Sequence, residues 1–515
     1  MINKFIQHKQ YFFLFLIIFL GAFLRLYKVS AVPPGLYIDE ISIAYNANEI
    51  LTKGVDQYNV KDPLWFKAFG EYKMPVYIYL MAGSIAVFGR NDFAVRFPSI
   101  ASGILTLLIF YFLVEGLAKL TKKNLPFSPG QIAIVAILML AVSTWHIQFS
   151  RAGFEATTAL CLYLLGLLFA VKSYQKQKIY LLLLSFSFLV ITMYTYNVYR
   201  IIAPVTAIAA VFIFLKTRRN IRKIILSFIA FAVASIPVFV FSLSGAGGAR
   251  FAETSAFSSL TNLSLIQKLI HYPIIFLSNY VSYFSLNFLF NIGDGIGRHQ
   301  MAGFGPMQYF EFPFLIIGLY FFIKNCKKPF YSLFLCLLFL APLVAAVAVP
   351  SPHTLRSLPM VIPLTIMVAY GFLWTIQKLS KVKFIPILIV IFALIIYEFL
   401  FYSHSYYQHY SIINSLDWGA GNEEMVAKTV KYESNFKHVV VDGRLGSSTI
   451  PLYFGFYTGD KFQPLVVSAT WQKPSAWRKG TTLYISSGFK SGSDVIDTVY
   501  FPGPNRDVFA EFQRL

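Results

Sequence analysis

Two adjacent carboxylates, Asp39 and Glu40, follow the first long apolar run of the chain in the stretch "PPGLYIDEISIAYNANEI". A carboxylate within hydrogen-bond reach of a hydroxyl can act as a general base when that hydroxyl attacks an electrophilic carbon. Adjacent side chains diverge on a helix or a strand, so only one of the two needs to face a substrate. A second interpretation, compatible with the first, is that Asp39 caps the helix beginning near "ISIAYNANEIL".

Basic residues in two later segments have the chemistry of anion ligands. Arg356 and His353 lie in "PSPHTLRSLP", and arginine suits phosphate because its guanidinium donates two parallel hydrogen bonds. The alternative for Arg356 is a loop arginine that meets lipid headgroups. Arg298 and His299 lie in "DGIGRHQMAGFG" and are weaker candidates of the same kind; the glycines there also suit a mobile loop that closes over a substrate.

A further acid and base, Arg151 and Glu155, are four residues apart in "SRAGFEA". At this spacing they are expected to share a helix face and could pair. Their role is either structural or functional, with Arg151 as a further candidate ligand of the donor phosphate. The sequence has no HxxxH motif, cysteine cluster or carboxylate trio with metal-ligand spacing, and its three cysteines show no pairing pattern. We therefore expect no metal, no other cofactor and no disulfide framework.

The composition determines which kind of protein must position these residues. Apolar residues make up 57% of the chain and charged residues 13%, which exceeds what one soluble core can hide. The formal charge of +21 would suggest nucleic acid as a partner of a soluble chain, but the Lys and Arg residues fall in short clusters between apolar runs. The sequence therefore predicts a polytopic membrane protein whose surroundings are the lipid bilayer, with no nucleic-acid partner.

About 20 apolar residues are needed for a helix to cross a bilayer, and eleven runs approach that length. The first is too long for a removable signal peptide and lacks a small-residue cleavage site, so we expect an uncleaved signal anchor. The predicted spans are roughly 11–29, 98–118, 131–148, 157–171, 179–198, 201–215, 224–242, 311–323, 330–349, 359–377 and 384–402.

Orientation follows from the loops, because Lys and Arg are retained on the cytoplasmic side. The clusters "KLTKKN", "KSYQKQK", "KTRRNIRK", "KNCKK" and "KLSKVK" contain no acid and occupy every second loop. We therefore expect a plasma-membrane protein with a cytoplasmic N-terminus and with the candidate residues outside. The short apolar segment 74–89 is predicted to be interfacial or re-entrant, since a crossing there would invert every later loop. An ordinary span with a weak charge bias is the alternative.

The predicted domains are a membrane domain, residues 1–402, and an extracytoplasmic domain, residues 403–515. The membrane domain includes a first external loop, 30–97, that carries the candidate carboxylates. In the tail, strand-like runs "HVVVDG", "TTLYISSG" and "DTVYFPG" follow a helical stretch "NEEMVAKTVKYE", which predicts a small α/β domain. The tail has no His/Cys cluster and no Gly-rich phosphate loop, so a binding or packing role is favoured over catalysis.

Five segments together resemble the polytopic GT-C glycosyltransferases: "YIDEISIAYNA", "FGEYKMPVYIYL", "FGRNDFAVRFPS", "WHIQFSRAGFEA" and "SPHTLRSLP". They are most similar to the protein O-mannosyltransferases, the lipid A aminoarabinose transferases and their bacterial relatives. The likeness covers residues 1 to about 200 well, continues moderately to about 402 and does not extend into the tail. It implies an inverting transferase that passes a sugar from a polyprenyl-phosphate donor to a protein, glycan or lipid acceptor at the outer surface.

The resemblance also implies roles for particular residues. Asp39 matches the first-loop carboxylate of the family and is the expected base, with Glu155 as a candidate second acid, although relatives often carry Asp there. Lys73 in "EYKMP" resembles a lysine near the lipid phosphate, and its alternative is a lysine that extends to the membrane interface. Glu71 departs from the aminoarabinose-transferase pattern, in which the acid and the lysine are adjacent. The family also places an arginine at Arg356 for the carrier.

Other classes of membrane protein are compatible with a polytopic chain. A transporter should show charged or unwound positions within its spans, often with an inverted repeat, whereas the charges here collect outside. A lipid-linked glycan polymerase or ligase would share the donor, but the early "DE" loop favours a monosaccharide transferase. A catalytically silent scaffold is the remaining alternative.

Overall fold

The structure is a computed structural model that describes residues 2–121, 125–216, 221–258, 263–381, 385–468, 471–487 and 494–515. The basic clusters "KLTKKN", "KTRRNIRK" and "KLSKVK" therefore lie partly outside the described residues. The chain is mostly helical, with a small sheet near its C-terminus, in agreement with the predicted fold class.

The α-helices are numbered in chain order over this described part of the chain. They are α1 (Ile2–Leu26), α2 (Ile38–Lys53), α3 (Pro75–Phe88), α4 (Asp92–Thr121), α5 (Pro129–Val142), α6 (Thr144–Arg151), α7 (Glu155–Lys176), α8 (Ile179–Met193), α9 (Tyr199–Lys216), α10 (Ile221–Leu243), α11 (Gly245–Thr254), α12 (Leu265–Ser282), α13 (Glu311–Lys324), α14 (Pro329–Ala345), α15 (Val361–Lys381), α16 (Ile385–His404), α17 (Tyr410–Ile413), α18 (Asn422–Tyr432) and α19 (Ile450–Thr458).

The strands form two sheets. A two-stranded sheet joins β1 to β2, and a five-stranded sheet has the order β4-β3-β5-β7-β6. The strands are β1 (Phe66–Ala68), β2 (Glu71–Lys73), β3 (His438–Asp442), β4 (Leu465–Val467), β5 (Thr482–Ser486), β6 (Asp494–Tyr500) and β7 (Val508–Arg514).

The chain divides into two compact units. The first contains Met1–Tyr27, Lys67–Tyr77 and Ser99–Ser403, and the second contains Lys28–Phe66, Ile78–Pro98 and His404–Leu515. The last boundary falls where the sequence predicts the change from membrane to external domain. The second unit also takes in most of the predicted first external loop.

Each of the eleven predicted spans overlaps helix in the described residues, but the predicted number of spans is not confirmed. Among the described residues, six helical stretches are long and apolar enough to cross a membrane alone, or up to eight if each bent pair is one span. The bent pairs are α5 with α6, at 58°, and α13 with α14, at 117°. Shorter apolar helical stretches are Gln10–Leu26 in α1, Pro75–Phe88 (α3) and Ile179–Met193 (α8). The structure is therefore that of a multi-span membrane protein.

Glycine allows two spans of the first unit to pack closely. Gly318 on α13 lies against the backbone carbonyl of Met367 on α15, and Gly371 on α15 lies against that of Phe314. A Cβ at either glycine would overlap the carbonyl oxygen, so a larger residue would force these helices apart. Small residues play this role where lipid removes the usual hydrophobic drive between helices.

Helix α3 covers most of the short apolar segment 74–89, which does not fit the regular pattern of spans. It has 14 residues, or about 21 Å at 1.5 Å per residue, which is shorter than the ~30 Å hydrocarbon core. Its length agrees with the predicted interfacial or re-entrant segment, and its depth in the bilayer stays a prediction.

The five-stranded sheet belongs to the second unit. Strands β4, β3 and β5 are parallel, and β7 pairs antiparallel with both β5 and β6. Helix α19 connects β3 to its parallel neighbour β4, as parallel pairing requires. The middle of the sheet is apolar and buried at Val440, Val441, Leu483, Ile485 and Phe512. The predicted small α/β fold is confirmed, and three of its five strands match the predicted runs.

Candidate functional site

The first turn of α2, in the second unit, holds the two adjacent carboxylates in different environments. Tyr37 is the N-cap, and the Glu40 carboxylate accepts a hydrogen bond from the Tyr37 amide at 3.0 Å. The reciprocal cap is therefore made by Glu40, and the interpretation of Asp39 as the capping residue is wrong. Glu40 is fully buried, whereas Asp39 is partly exposed.

Arg96 fixes this turn from α4. Its Nε lies 3.2 Å from Glu40 Oε1, and both side chains are fully buried. The guanidinium also donates to the carbonyls of Val29 at 2.7 Å and Pro33 at 2.9 Å, and to that of Gly35. One arginine thus joins the chain leading into α2 to the carboxylate next to Asp39. The predicted catalytic role of Glu40 stays a prediction, and its contacts are those of a residue that holds Asp39 in place.

The C-terminal segment packs under the same turn within the second unit. The Tyr453 hydroxyl donates to the Leu36 carbonyl at 2.5 Å, and Trp418 lies edge-on to the Tyr37 ring with centroids 6.5 Å apart. Gly35 has φ +72°, and a Cβ there would come within 2.9 Å of the Gly419 carbonyl oxygen. These contacts are the kind of packing role that the sequence favours for the tail.

Lys73 and Glu71 lie on β2 in the first unit. Alternate residues of a strand point to the same face, so Tyr72 between them does not separate the two side chains. Lys73 Nζ lies 3.7 Å from Glu71 Oε1, and the side chains are 6% and 17% exposed. A buried, paired lysine does not fit the alternative of a lysine that extends to the membrane interface.

Two loops of the first unit bring together Asp294, His299 and His353. Asp294 Oδ2 lies 2.5 Å from His299 Nδ1 and accepts from the Thr354 amide at 2.7 Å. The His299 and His353 ring centroids are 4.8 Å apart. One potential metal-ligand atom from each of the three side chains lies within 4.8 Å of the others. Three residues that no local spacing connects are thus arranged as potential metal ligands, and the expectation that no metal is bound stays a prediction.

The electrostatics of this cluster follow from burial and close charge. Burial alone would raise the pKa of Asp294, but the hydrogen bond and charge of His299 outweigh it and hold the pKa at about 2. For His353, burial first and then the neighbouring His299 and Arg356 keep the pKa well below its ordinary value. The cluster thus combines an ionised carboxylate with a neutral His353 imidazole, the protonation states that bind metal ions.

Arg356 lies on the same loop as His353. Its Nη1 donates to the carbonyls of Val349 at 3.1 Å and Pro350 at 3.3 Å, and its side chain is only partly buried. These bonds orient the guanidinium along its loop. The carbonyl of Arg298, on the other loop, accepts from Gln148 Nε2 at 2.6 Å. Arg356 therefore stays a candidate phosphate ligand with a defined orientation.

Arg151 and Glu155 do not lie on one helix as expected. Arg151 ends α6, Glu155 begins α7, and the intervening residues 152–154 are not helical. The predicted shared helix face is wrong because Gly153 and its neighbours break the helix. Arg151 is fully buried and donates to the Leu24 and Arg25 carbonyls at the end of α1, as a C-terminal capping residue does.

Three residues that matter to these arrangements are absent from the sequence-based candidates: Arg96, Asp294 and Thr354. Asp294 lies five residues before His299 in a loop already marked by its glycines, so a search for Asp/His pairs would have found it. The bond from the Thr354 amide depends on two loops 60 residues apart and has no local signal. Arg96 lies in the quoted "FGRNDFAVRFPS", but its partners are Glu40, 56 residues earlier, and three backbone carbonyls, which no local side-chain pattern reveals.

Residues 72–243 match the family model "Dolichyl-phosphate-mannose-protein mannosyltransferase". Among curated proteins, no sequence matches the chain. One solved structure with a similar fold is ArnT from Cupriavidus metallidurans bound to undecaprenyl phosphate, with 11% identity and a TM-score of 0.53 over 97% of this chain and 96% of that one. Another is the archaeal oligosaccharyltransferase AglB from Archaeoglobus fulgidus in complex with an inhibitory peptide and a dolichol-phosphate. It has 12% identity and a TM-score of 0.50.

The two structural likenesses differ in extent. The alignment with AglB covers 88% of this chain but only 64% of AglB, whereas ArnT apo is covered over 97% of both chains. At these identities the likeness concerns the fold alone, and the family model matches only residues 72–243. The chain is therefore a multi-span membrane protein with the GT-C fold, and its residues 72–243 are similar to the dolichyl-phosphate-mannose-protein mannosyltransferase family.

Proposed function

We propose that the protein is an inverting glycosyltransferase that moves a sugar from a polyprenyl-phosphate carrier to an acceptor hydroxyl outside the cytoplasmic membrane. Its relatives carry lipid phosphates: the family model names a dolichyl-phosphate-mannose donor, and the ArnT and AglB structures hold undecaprenyl phosphate and dolichol-phosphate. The observation that carries the proposal is the different setting of the two carboxylates on α2. Arg96 and the Tyr37 amide hold Glu40, while Asp39 is accessible.

The proposed reaction is a single displacement at the anomeric carbon. The acceptor oxygen forms the new C–O bond, the bond from the anomeric carbon to the phosphate oxygen breaks, and the polyprenyl phosphate leaves with the electron pair. Asp39 takes the acceptor proton. Asp39 lies in the first turn of α2, and a carboxylate within hydrogen-bond reach of the hydroxyl can take its proton.

The leaving phosphate gains negative charge, which fixed cations stabilise. We assign this role first to Lys73, which is held on β2 beside Glu71, and to Arg356, whose backbone contacts orient it. The proposal keeps three further predictions. Arg151 and His353 contribute to phosphate binding, Glu155 is a second acid, and Arg298 and His299 belong to a loop that closes over the substrate.

The basic loops support an orientation in which the N-terminus is cytoplasmic and the candidate residues are outside. The acceptor is then a hydroxyl of a surface protein, glycan or lipid. A peptide is the ligand named for AglB, and this chain spans less than two thirds of that protein, so the choice of acceptor rests on experiment.

The test is transfer in proteoliposomes that contain the purified full chain. Polyprenyl-phosphate mannose, labelled in the sugar, is supplied together with a solubilised cell-envelope extract as acceptor, and other polyprenyl-phosphate sugars follow. We expect label in an acceptor fraction and release of polyprenyl phosphate, and mass spectrometry of surface glycans should show a matching loss in cells without the chain. Flux of the labelled lipid or sugar across the vesicle without any glycosylated product would instead support a transporter.

A further inference from the structure

The cluster of Asp294, His299 and His353 has the composition of a metal site, beyond the roles in donor binding and loop closure that sugar transfer assigns to its two histidines. It combines two imidazoles and one carboxylate from two separate loops, and the side chains are 0%, 3% and 9% exposed, respectively. Imidazole and carboxylate ligands together are typical of zinc sites, whereas magnesium and calcium prefer oxygen ligands alone. We propose that these three side chains bind one divalent transition-metal ion of the zinc class.

The second shell of the cluster is built as metal sites require. The Ile296 amide donates to Asp294 Oδ1 at 3.0 Å, and the Thr354 amide donates to Oδ2 at 2.7 Å, so the carboxylate is held from both loops. The Thr354 hydroxyl donates to Gln300 Oε1 at 3.3 Å. Hydrogen bonds of this kind orient the ligands and are typical of metal centres.

The distances between the ligand atoms show which contacts must change when a metal ion binds. Zinc bonds to nitrogen and oxygen are about 2.0–2.2 Å, so neighbouring ligand atoms of a tetrahedral site lie about 3.4 Å apart. Where His299 binds the ion through Nδ1, its 2.5 Å contact with Asp294 Oδ2 must lengthen, and separations of up to 4.8 Å must shorten. Any proton on the nitrogen that binds the ion is displaced and leaves to solvent. Three protein ligands leave one position for water.

A metal at this place would join two loops, 293–300 and 349–357, that now meet through hydrogen bonds and ring contacts. The second loop carries Arg356, so the ion would also fix the segment proposed to hold phosphate. The inference does not depend on sugar transfer, because metal uptake is measured on the protein itself.

The experiment uses the purified full chain, treated with a chelator and reloaded with zinc or cobalt chloride. Zinc per chain is counted by inductively coupled plasma mass spectrometry, and Co²⁺ ligation is read from its visible absorption. The variants are His299→Ala and His353→Gln, which come from different loops. His271→Ala is the matched control, since His271 is exposed on α12 outside the cluster.

We expect one ion per wild-type chain, a tetrahedral Co²⁺ spectrum, and an affinity at least about tenfold lower in either cluster variant but unchanged in His271→Ala. The melting temperature measured with chelator identifies any variant that has lost its fold, and the wild-type Co²⁺ spectrum remains informative in that case. The proposal is overturned if the wild type takes up no ion, if the Co²⁺ spectrum shows no protein ligands, or if both folded cluster variants bind as tightly as His271→Ala.

Discussion

Arg96→Met tests whether the buried ion pair holds the first turn of α2. The Arg96 guanidinium is fully buried and bonds Glu40 at 3.2 Å, together with the carbonyls of Val29 and Pro33. Methionine keeps most of the apolar volume but leaves the Glu40 charge buried without its cation. Breaking a buried pair from one side costs roughly 3–5 kcal/mol, so this variant should unfold at a much lower temperature than the wild type.

The double variant Arg96→Met with Glu40→Leu distinguishes the contribution of the ion pair to stability from that of the bonds between Arg96 and the backbone. Apolar replacement of both charges is often nearly neutral, but the Val29 and Pro33 carbonyls still lose their donor, at about 1–3 kcal/mol for each unsatisfied group. The double variant should therefore be more stable than the sum of the single changes predicts, with a coupling of about 0.5–3 kcal/mol.

The assay is thermal unfolding of the full chain in detergent, followed by tryptophan fluorescence. Glu115→Gln is the matched control, because it removes the acid of an i,i+4 pair with Lys119 whose side chains are 22% and 54% exposed. An exposed pair of this kind contributes at most about 0.5 kcal/mol. The reasoning is refuted if Arg96→Met melts together with Glu115→Gln, or if the double variant loses the full sum of the single losses.

Three further outcomes follow from the other contacts. Arg356→Lys keeps the charge but loses the planar donor pair, and we expect about a tenfold higher KM for a polyprenyl-phosphate sugar; an unchanged KM contradicts phosphate binding. Lys73→Met should impair donor binding more than Glu71→Gln does, and the reverse order in a binding assay would contradict the assignment. The pKa of Asp294 is about 2, against an ordinary 3.8. The ionised Asp294 carboxylate therefore stabilises the folded protein above pH 3.8, and this stabilisation is lost as the pH falls through 2. Hydrogen exchange at the Thr354 amide, corrected for intrinsic rate, should stay slow at pH 4 and rise near pH 2, and Asp294→Asn should remove that step.

The spans could be predicted because their signal is local and strong. Each apolar run is a helix, since the bilayer demands both apolar side chains and internally satisfied backbone groups. The breaks between helices are weaker signals. Ser143 caps α6 through a bond from the His146 amide, and Gly153 precedes α7, so both were visible as breakers, but the expected Arg151–Glu155 face assumed a continuous helix. The sequence does not predict strands β4 and β7, because these strands form by pairing with neighbouring strands of the sheet.

The candidate site could be predicted only in part. The type and position of Asp39 and Lys73 mark them as candidates, whereas the difference between Asp39 and Glu40 requires knowing that Glu40 turns back to the Tyr37 amide and meets Arg96, 56 residues away. The Asp294, His299 and His353 cluster joins two loops that no spacing rule connects. Contacts between distant segments arise from the fold, so sequence patterns miss them.

Asp39→Asn is the measurement that tests the central claim most directly. Asparagine keeps the shape but cannot take the acceptor proton, and loss of a general base lowers the rate by about 10²- to 10⁴-fold. Asp62→Asn is the matched control: Asp62 lies in the same predicted external loop, is exposed and has φ +45°, which asparagine also adopts readily. In proteoliposomes given the labelled donor, we predict that kcat falls by at least about a hundredfold in Asp39→Asn, with little change in donor KM and no change in Asp62→Asn. Transfer by Asp39→Asn at the rate of Asp62→Asn would contradict the assignment of Asp39 as the base.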